Sequence, residues 1–443
     1  MISADIAPAA WQRALNTIDQ EQRRIVKYSV LQQEVDRELQ NQRATLQTAA
    51  DGSTTRPSSA IADGLVTSTA DGKVFISPVQ ALAFFDRMAK KLTAYDVDKT
   101  LRQAFTVKGP HLILQTPNVP VGGEALLKKA YQASRTTSIS PPVPVAIPVW
   151  PYGTFGTPGA ISESHAIEDL GITLVHFSNG VQLAVKPTRL HDGEVLVRAD
   201  IGHGRRDFPI QQPVAAWATA AFIPGGLKAI GYDEMWRALS GKEVSIRFSL
   251  NDEAFTLQGK TRPADLETQM QMLAAYASEP AYRPQAFTRL QEEFRNDLGE
   301  HEMTATNVTD RFLSGLLHAG DPRWAAPDHQ QISSVTPADF QAQFAPYLSK
   351  GSINVSIVGD VTIDDAIRLT AATFGALPPR PASAPENARP THPPPAPTKL
   401  PVVLHQFQRA DNAAVLLAVP AGDLLSDLPR TYAMRIAGRI LLD

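Results

Sequence analysis

The sequence contains no cysteine, which removes disulfides, thiolate metal sites and cysteine nucleophiles at once. Cysteine avoidance fits an oxidising compartment such as a periplasm. There is no run of about 18 consecutive apolar residues, the length a membrane span requires. The opening Met1-Ile2-Ser3-Ala4-Asp5-Ile6 lacks the basic and apolar regions of a secretory signal, so an export signal, if the intact protein has one, lies outside this chain. Concentrated positive charge is missing too. The net charge is -3, and the nearest basic pairs, Arg23-Arg24 and Lys90-Lys91, fall on expected helices beside neutral or acidic residues. A nucleic-acid surface needs a basic stripe, which argues against nucleic acid as a partner.

What is present is ordinary for a globular protein. With 443 residues, 43% apolar and 20% charged, the chain is long enough for two or three domains, each with its own core. Two proline-rich stretches divide it. The first, within 136–162, contains Pro141-Pro142-Val143-Pro144 and Pro148-Val149-Trp150-Pro151; proline removes backbone donors and favours extended geometry, so this is a stiff connector. Its Trp150, Tyr152 and Phe155 suggest packing onto a domain. The second, 378–400, carries Pro393-Pro394-Pro395 and almost no large apolar residue, and is expected to be mobile.

Residues 1–135 read as mostly helical. Trp11, Leu15, Ile18 and Ile25 fall at helical spacing, as do Leu31, Val35, Leu39 and Leu46. Thr93 and Asp96 open a third helix as a capping box, which ends near Phe105, and Leu112-Ile113-Leu114 after Gly109 reads as a strand. So little other strand is present that sheet appropriate to this block is expected upstream. Residues 163–377 look nearly complete. Thr173–Phe177 and Val181–Val185 flank Ser178-Asn179-Gly180, a hairpin turn, and Glu194–Ile201 continues as strand. A second hairpin runs from Glu243 to Gly259 around Asn251-Asp252, and helices follow through Leu266, Met270, Leu273 and Ala277, then Phe287, Leu290, Phe294 and Leu298.

An internal repeat links the two blocks. Thr336-Pro337-Ala338-Asp339, a helix to about Tyr347, Gly351 and the strand Ile353–Ile357 repeat the order of Thr93-Ala94-Tyr95-Asp96, helix, Gly109 and strand. Behind each lies a helix rich in small residues, around Ala60-Ile61-Ala62 and around Phe312-Leu313-Ser314. The first block is therefore the second half of the domain type that the middle block shows almost whole. In 401–443, Val402–Val419 reads as new strands and Tyr432–Leu441 as a helix with an apolar stripe of Ala433, Ile436, Ala437, Ile440 and Leu441, the truncated start of a further domain.

Three phrases in order, Phe177–Thr188, Thr261-Arg262-Pro263-Ala264-Asp265-Leu266-Glu267 and Asn354–Asp360, resemble the opening hairpin, a helix start and the last strand of a pitrilysin-type (insulinase-like) zinc metallopeptidase domain. The resemblance implies an α+β fold: repeated α/β-roll domains, each an antiparallel sheet with helices packed on one face. In that family four such domains, joined as two halves, enclose a chamber in which peptides are cut. This chain would supply the end of the second domain, the whole third and the start of the fourth. Active members carry His-x-x-Glu-His on a helix, with a later Glu as third zinc ligand. At the matching positions stand Ala216, Thr219 and Ala220, and no methyl group binds zinc. Glu292 or Glu293 lies where the distal ligand belongs, a carboxylate on an exposed helix face.

Other sharp features have bland readings. His191-Asp192-Gly193-Glu194 spells His-x-x-Glu, but Val195 follows and the segment is a loop-to-strand junction. Gly202-x-Gly204 has no Lys-Ser/Thr or helix after it, so it opens no phosphate loop. His203, Arg205 and Arg206 are expected to be solvated turn residues, and are the candidates for substrate contact. Glu300-His301-Glu302 is a polar helix end, and Trp217 on an alanine-rich segment is a core residue. The resemblance thus implies a non-catalytic, chamber-forming and substrate-holding part of a zinc endopeptidase acting on peptides. No cofactor is expected in this chain; zinc belongs to the missing catalytic half. The intact protein would be periplasmic. The alternative is a stand-alone scaffold or binding protein derived from the same fold, acting with a separately encoded zinc-bearing subunit.

Overall fold

The computed structural model describes residues 2–4, 6, 8–105, 110–116, 119–210, 213–298, 304–380, 401–406, 411–418 and 427–442. The bulk of the second proline-rich stretch, Gly109 and Glu300-His301-Glu302 lie outside the described residues. The chain divides into two compact units. One comprises Met1–Gly204, Ala218–Glu293 and Pro337–Ser383; the other Arg205–Trp217, Phe294–Thr336 and Ala384–Asp443.

The larger unit begins with six helices: α1 (Trp11–Tyr28), α2 (Gln32–Asp51), α3 (Ser58–Ala70), α4 (Pro78–Ala89), α5 (Ala94–Ala104) and α6 (Gly123–Thr136). Helix α1 packs against α5 and α6, and α2 against α4. Asp19 is buried and takes Arg23 at 2.8 Å, whose guanidinium also donates to the Ser134 and Thr137 carbonyls at 2.8 and 2.9 Å. The ion pair thereby reinforces the end of α6, where the Ser134 carbonyl also accepts from the Thr137 N–H at 3.1 Å. The capping box opens α5 as expected, with the Asp96 carboxylate accepting from the Thr93 N–H at 2.9 Å. The expected strand at 112–114 is not assigned as one: among the described residues 110–116 belongs to no strand of the sheet. A strand needs a ladder to satisfy its backbone.

The sheet sits in the middle block. Its strands are β1 (Ile161–Ile167), β2 (Ile172–Phe177), β3 (Gln182–Pro187), β4 (Val195–Ile201), β5 (Arg247–Leu250), β6 (Phe255–Thr261) and β7 (Ile353–Gly359). They lie in the order β1-β2-β3-β7-β4-β6-β5. Strand β1 starts just ahead of the expected boundary at 163 and was not legible as strand; its side chains are almost all exposed. The antiparallel expectation needs one correction. Strand β7 pairs in parallel with β3, Leu183 opposite Val355, and antiparallel with β4, Val197 opposite Ile357. The sheet is otherwise antiparallel. Two-residue periodicity puts Val195, Val197, Ala199 and Ile201 of β4 inward, all at most 1% exposed.

After β4 come α7 (Tyr232–Ala238), α8 (Leu266–Ser278), α9 (Pro284–Asp297), α10 (Ala305–Leu317), α11 (His329–Ser334), α12 (Pro337–Leu348), α13 (Ile363–Ala372) and α14 (Leu428–Leu442). Helix α8, buried along most of its length, crosses β4 and β6; α13 lies against β2 and β3; the two helices touch. The helix-start phrase explains itself here. Asp265 is buried and accepts from the Glu243 N–H at 3.0 Å, from Arg262 at 2.6 Å and from Lys242 at 3.1 Å. Burial pushes its carboxyl up, but these partners outweigh burial and hold it below the ordinary aspartate value. At the hairpin turn, Gly180 takes φ 89° and the Asn179 amide donates to the Phe374 and Leu377 carbonyls at 3.0 and 2.9 Å, closing the start of the domain onto its end.

The first connector packs as expected. Trp150 Nε1 donates to Gln271 at 3.1 Å, Tyr152 donates to Glu279 at 3.2 Å, and Tyr152 meets Trp150 at a tilt and stacks on Phe155. The expected strands of 402–419 are absent among the described residues, where 401–406 and 411–418 belong to no strand. Helix α14 does form, with Ile436, Ile440 and Leu441 59, 70 and 86% exposed.

Candidate functional site

The segment that follows β4 is where the sequence resemblance places the zinc-motif positions, so its local geometry bears on that reading. Glycines 202 and 204 both take positive φ, 60° and 61°. A Cβ on Gly204 would stand 2.2 Å from the Asn251 carbonyl oxygen, so only glycine fits against the β5–β6 turn. His203, between them, is 8% exposed, which corrects its reading as a solvated turn residue: the two glycines fold the chain tightly enough to turn the imidazole inward. A short 3-10 turn, Gly204–Asp207, follows.

Ala216, Thr219 and Ala220 lie on a 3-10 segment of 6 residues, Ala216–Ala221. Such a segment would not aim two ligands four residues apart at one point. Two histidines four apart share a face only on an α-helix; at three residues per turn they diverge by about 120°. Ala218 and Ala221 are buried, Ala216 and Thr219 half-buried and Ala220 exposed. The distal position offers no ligand set. Glu292 is exposed, and Glu293 pairs with Arg289 one helical turn away at 3.0 Å. Among the described residues no three His, Asp or Glu side chains are grouped to hold a metal.

In the smaller unit, Arg205 and Arg206 are half-buried. One arm of Arg205 donates to the Arg323 carbonyl at 2.6 Å, so that guanidinium helps shape the loop. Arg323 was not singled out in the sequence, and it is wholly buried. It forks onto Asp321 at 3.1 and 2.6 Å, reaches the Phe208 carbonyl at 3.3 Å and lies over the Trp324 ring, which stacks on His318 with centroids 4.4 Å apart. Only the short Asp321-Pro322-Arg323-Trp324 phrase could have hinted at this cluster. Trp217 is half-buried, its ring 5.4 Å from that of Phe294.

His191-Asp192-Gly193-Glu194 has a structural use. Thr54 donates to the Asp192 carboxylate at 2.6 Å, the Asp192 N–H donates to Thr55 at 2.9 Å, and Glu194 pairs with Lys260. Gly193 takes φ 71°, and a Cβ there would stand 2.9 Å from that of Asp51. Together with the Gly241 N–H donating to Asn41 at 2.9 Å, this loop fastens the end of α2 to the middle block. A cleft of about 840 Å³ lies among Thr188, Arg189, Glu267, Asp364 and Arg368. Its charges are mixed, and none of the sequence-selected site residues lines it.

Comparison with known proteins returns one family. Residues 334–443 match the profile described as the peptidase M16 inactive domain. Among solved structures, the periplasmic protease PqqL from Escherichia coli is 17% identical with a TM-score of 0.46, matching 86% of this chain and 42% of its own. The ferredoxin protease FusC, solved as a mutant bound to Arabidopsis ferredoxin, is 13% identical with a TM-score of 0.50, matching 88% and 43%. An M16 inactive domain from Pseudomonas fluorescens is 17% identical with a TM-score of 0.42, over 49% and 53%. At these identities the likeness is one of fold, and the chain spans less than half the length of either protease. No curated protein matches it.

Proposed function

Taking the chain as a non-catalytic portion of an M16, pitrilysin-type peptidase, the family to which its matched inactive domain and its fold point, we propose that it forms the wall of a proteolytic chamber. In this reading a separate, zinc-bearing half cuts peptides, and this portion retains them. The observation that carries it is the segment Ala216–Ala221, where both the ligand side chains and the α-helical geometry needed to aim them are absent. A folded domain kept without its chemistry is useful where a chamber needs a matching surface to exclude solvent and hold an extended chain. His203, Arg205 and Arg206 stand beside this segment in sequence, and Arg205 and Arg206 are the groups through which the wall would hold substrate carboxylates or carbonyls. Zinc, and the water it activates, belong to the catalytic half. A periplasmic setting for the intact protein accords with the lack of cysteine.

Metal content after dialysis and turnover of a quenched, unstructured peptide test the proposal together. The purified chain should hold far less than one zinc and show no turnover. One tight zinc per chain with chelator-sensitive cleavage would overturn it.

A further inference from the structure

Strand β1 closes one side of the sheet, with β2 as its neighbour among the described residues. Residues 161–166 are exposed and Ile167 is half-exposed. Exposed edges are usually blunted by lysine, by proline or by a very short strand. This edge is 7 residues long, Ile161-Ser162-Glu163-Ser164-His165-Ala166-Ile167, and contains neither residue; its bulge lies at one end, ahead of Glu163. The direction of its free backbone groups follows from β2. The Phe177 N–H donates to the Val181 carbonyl at 2.8 Å, and Val175 and Thr173 stand opposite Leu183 and Val185. Ladder alternation therefore turns Phe177, Val175 and Thr173 toward β3, and His176, Leu174 and Ile172 toward β1. Their partners Glu163, His165 and Ile167 bond to β2, so Ser164 and Ala166 aim their N–H and C=O groups away from the sheet.

We propose that β1 pairs with β1 of a second copy of this chain, antiparallel about Ser164, so that two sheets join edge to edge across a twofold axis. The central residues commit the edge to this occupant, because Glu163-Ser164-His165 is self-complementary when reversed. Centred on Ser164, the pairing lets the two Ser164 residues exchange N–H···O bonds through groups that already face outward. It also sets Glu163 of each copy opposite His165 of the other, in the non-hydrogen-bonded positions where side chains come closest. An imidazole donates to a carboxylate whether it is neutral or charged. Neighbouring registers are worse: centred on His165 two imidazoles meet, centred on Glu163 two carboxylates meet, and centred on Ala166 Glu163 faces Asp169. The join goes beyond the chamber reading and depends on neither zinc nor peptide turnover.

Sedimentation of the full chain tests it. One strand per copy is a small interface, so the dimer should be reversible, present at about 100 µM and largely dissociated at about 1 µM. Ser164→Pro removes an outward N–H that β2 does not use, and should weaken association by about tenfold or more with the melting temperature unchanged. Glu163→Lys should weaken it as well, and adding His165→Glu, which restores opposite charges across the axis, should recover it. Because the chain has no cysteine, a single introduced thiol reports the register. Ser164→Cys should oxidise to a covalent dimer, whereas Ile167→Cys, held about 20 Å from its counterpart in this register, should not. A chain that stays monomeric at the higher concentration overturns the proposal, since the edge would then belong to another occupant. Association that Ser164→Pro and Glu163→Lys leave intact, or equal crosslinking through Ile167→Cys, overturns it too, by placing the contact on another face or in another register.

Discussion

The helical block at the N-terminus and the sheet domain in the middle carry the same kinds of sequence pattern, yet they bury it to very different extents. In the middle, α8 buries most of its residues and β4 every second one. In the first block α3, α4 and α5 bury none, and Val66, Phe84 and Tyr95 are 70, 56 and 74% exposed. Fully burying one large aliphatic or aromatic side chain contributes about 1.5–3 kcal/mol, so the difference between the blocks is a difference in stability. Amphipathic periodicity makes a helix; it does not provide the surface that the helix needs.

The largest expected effect comes from separating the two. A fragment from Pro148 to Arg380, which keeps Trp150 and Tyr152 on α8, should melt cooperatively by circular dichroism, and residues 1–135 alone should not. A sharp transition in the N-terminal fragment would mean that its exposed residues are adequately covered, and the contrast would fail. Next in size is a matched pair of substitutions at equivalent repeat positions. Ile357→Ala in β7, at a fully buried site, should cost about 2–5 kcal/mol. Leu114→Ala should cost less than about 1 kcal/mol by the same chemistry, because its site is half-covered already. Urea denaturation of both variants measures the gap, and equal losses would erase the distinction.

The smallest effect sharpens the comparison through two aspartates at helix starts. Asp96, in the first block, is held low chiefly by the Thr93 hydroxyl and N–H at the protein surface, whereas Asp265 owes its lowered value to partners that overcome burial. For a carboxyl lowered on folding, the stabilisation is present above the unfolded value near 3.8 and is lost as pH falls through the lower folded value. Asp265→Asn should therefore cost about 1–2 kcal/mol at neutral pH and flatten the acid side of the middle domain's stability curve. Asp96→Asn should leave that curve unchanged. A flattened curve in the Asp96 variant, followed by chemical denaturation from pH 6 to 2.5, would contradict this assignment.

Part of the candidate site was legible in the sequence. That Ala216, Thr219 and Ala220 offer no zinc-ligating side chain needs only the residues. That the segment is also a 3-10 turn, unable to align two side chains four apart, needed the structure, since alanine-rich sequence gives no sign against an α-helix. The inward turn of His203 was hidden for a related reason: polar residues between glycines read as a solvated loop, and only the close approach of Gly204 to Asn251 shows that the loop is pinned. Likewise Arg323, a charged residue after a proline, reads as surface until Asp321, the Phe208 carbonyl and the Trp324 ring are seen around it.

By itself the sequence determined every element whose hydrogen bonds close locally. The capping box of α5, the helices α1, α8 and α12, and the Ser178-Asn179-Gly180 hairpin depend on residues a few positions apart, and such interactions are written in spacing. Tertiary structure alone decided which strands exist. Leu112–Leu114 and Val402–Val419 have the composition of strands but no ladder among the described residues, while exposed β1 became one because β2 lay beside it. It also decided that β7 enters the sheet between β3 and β4, in parallel with the first and antiparallel to the second. A helix satisfies its own backbone, whereas a strand borrows its hydrogen bonds from a neighbour that can lie anywhere along the chain or beyond it.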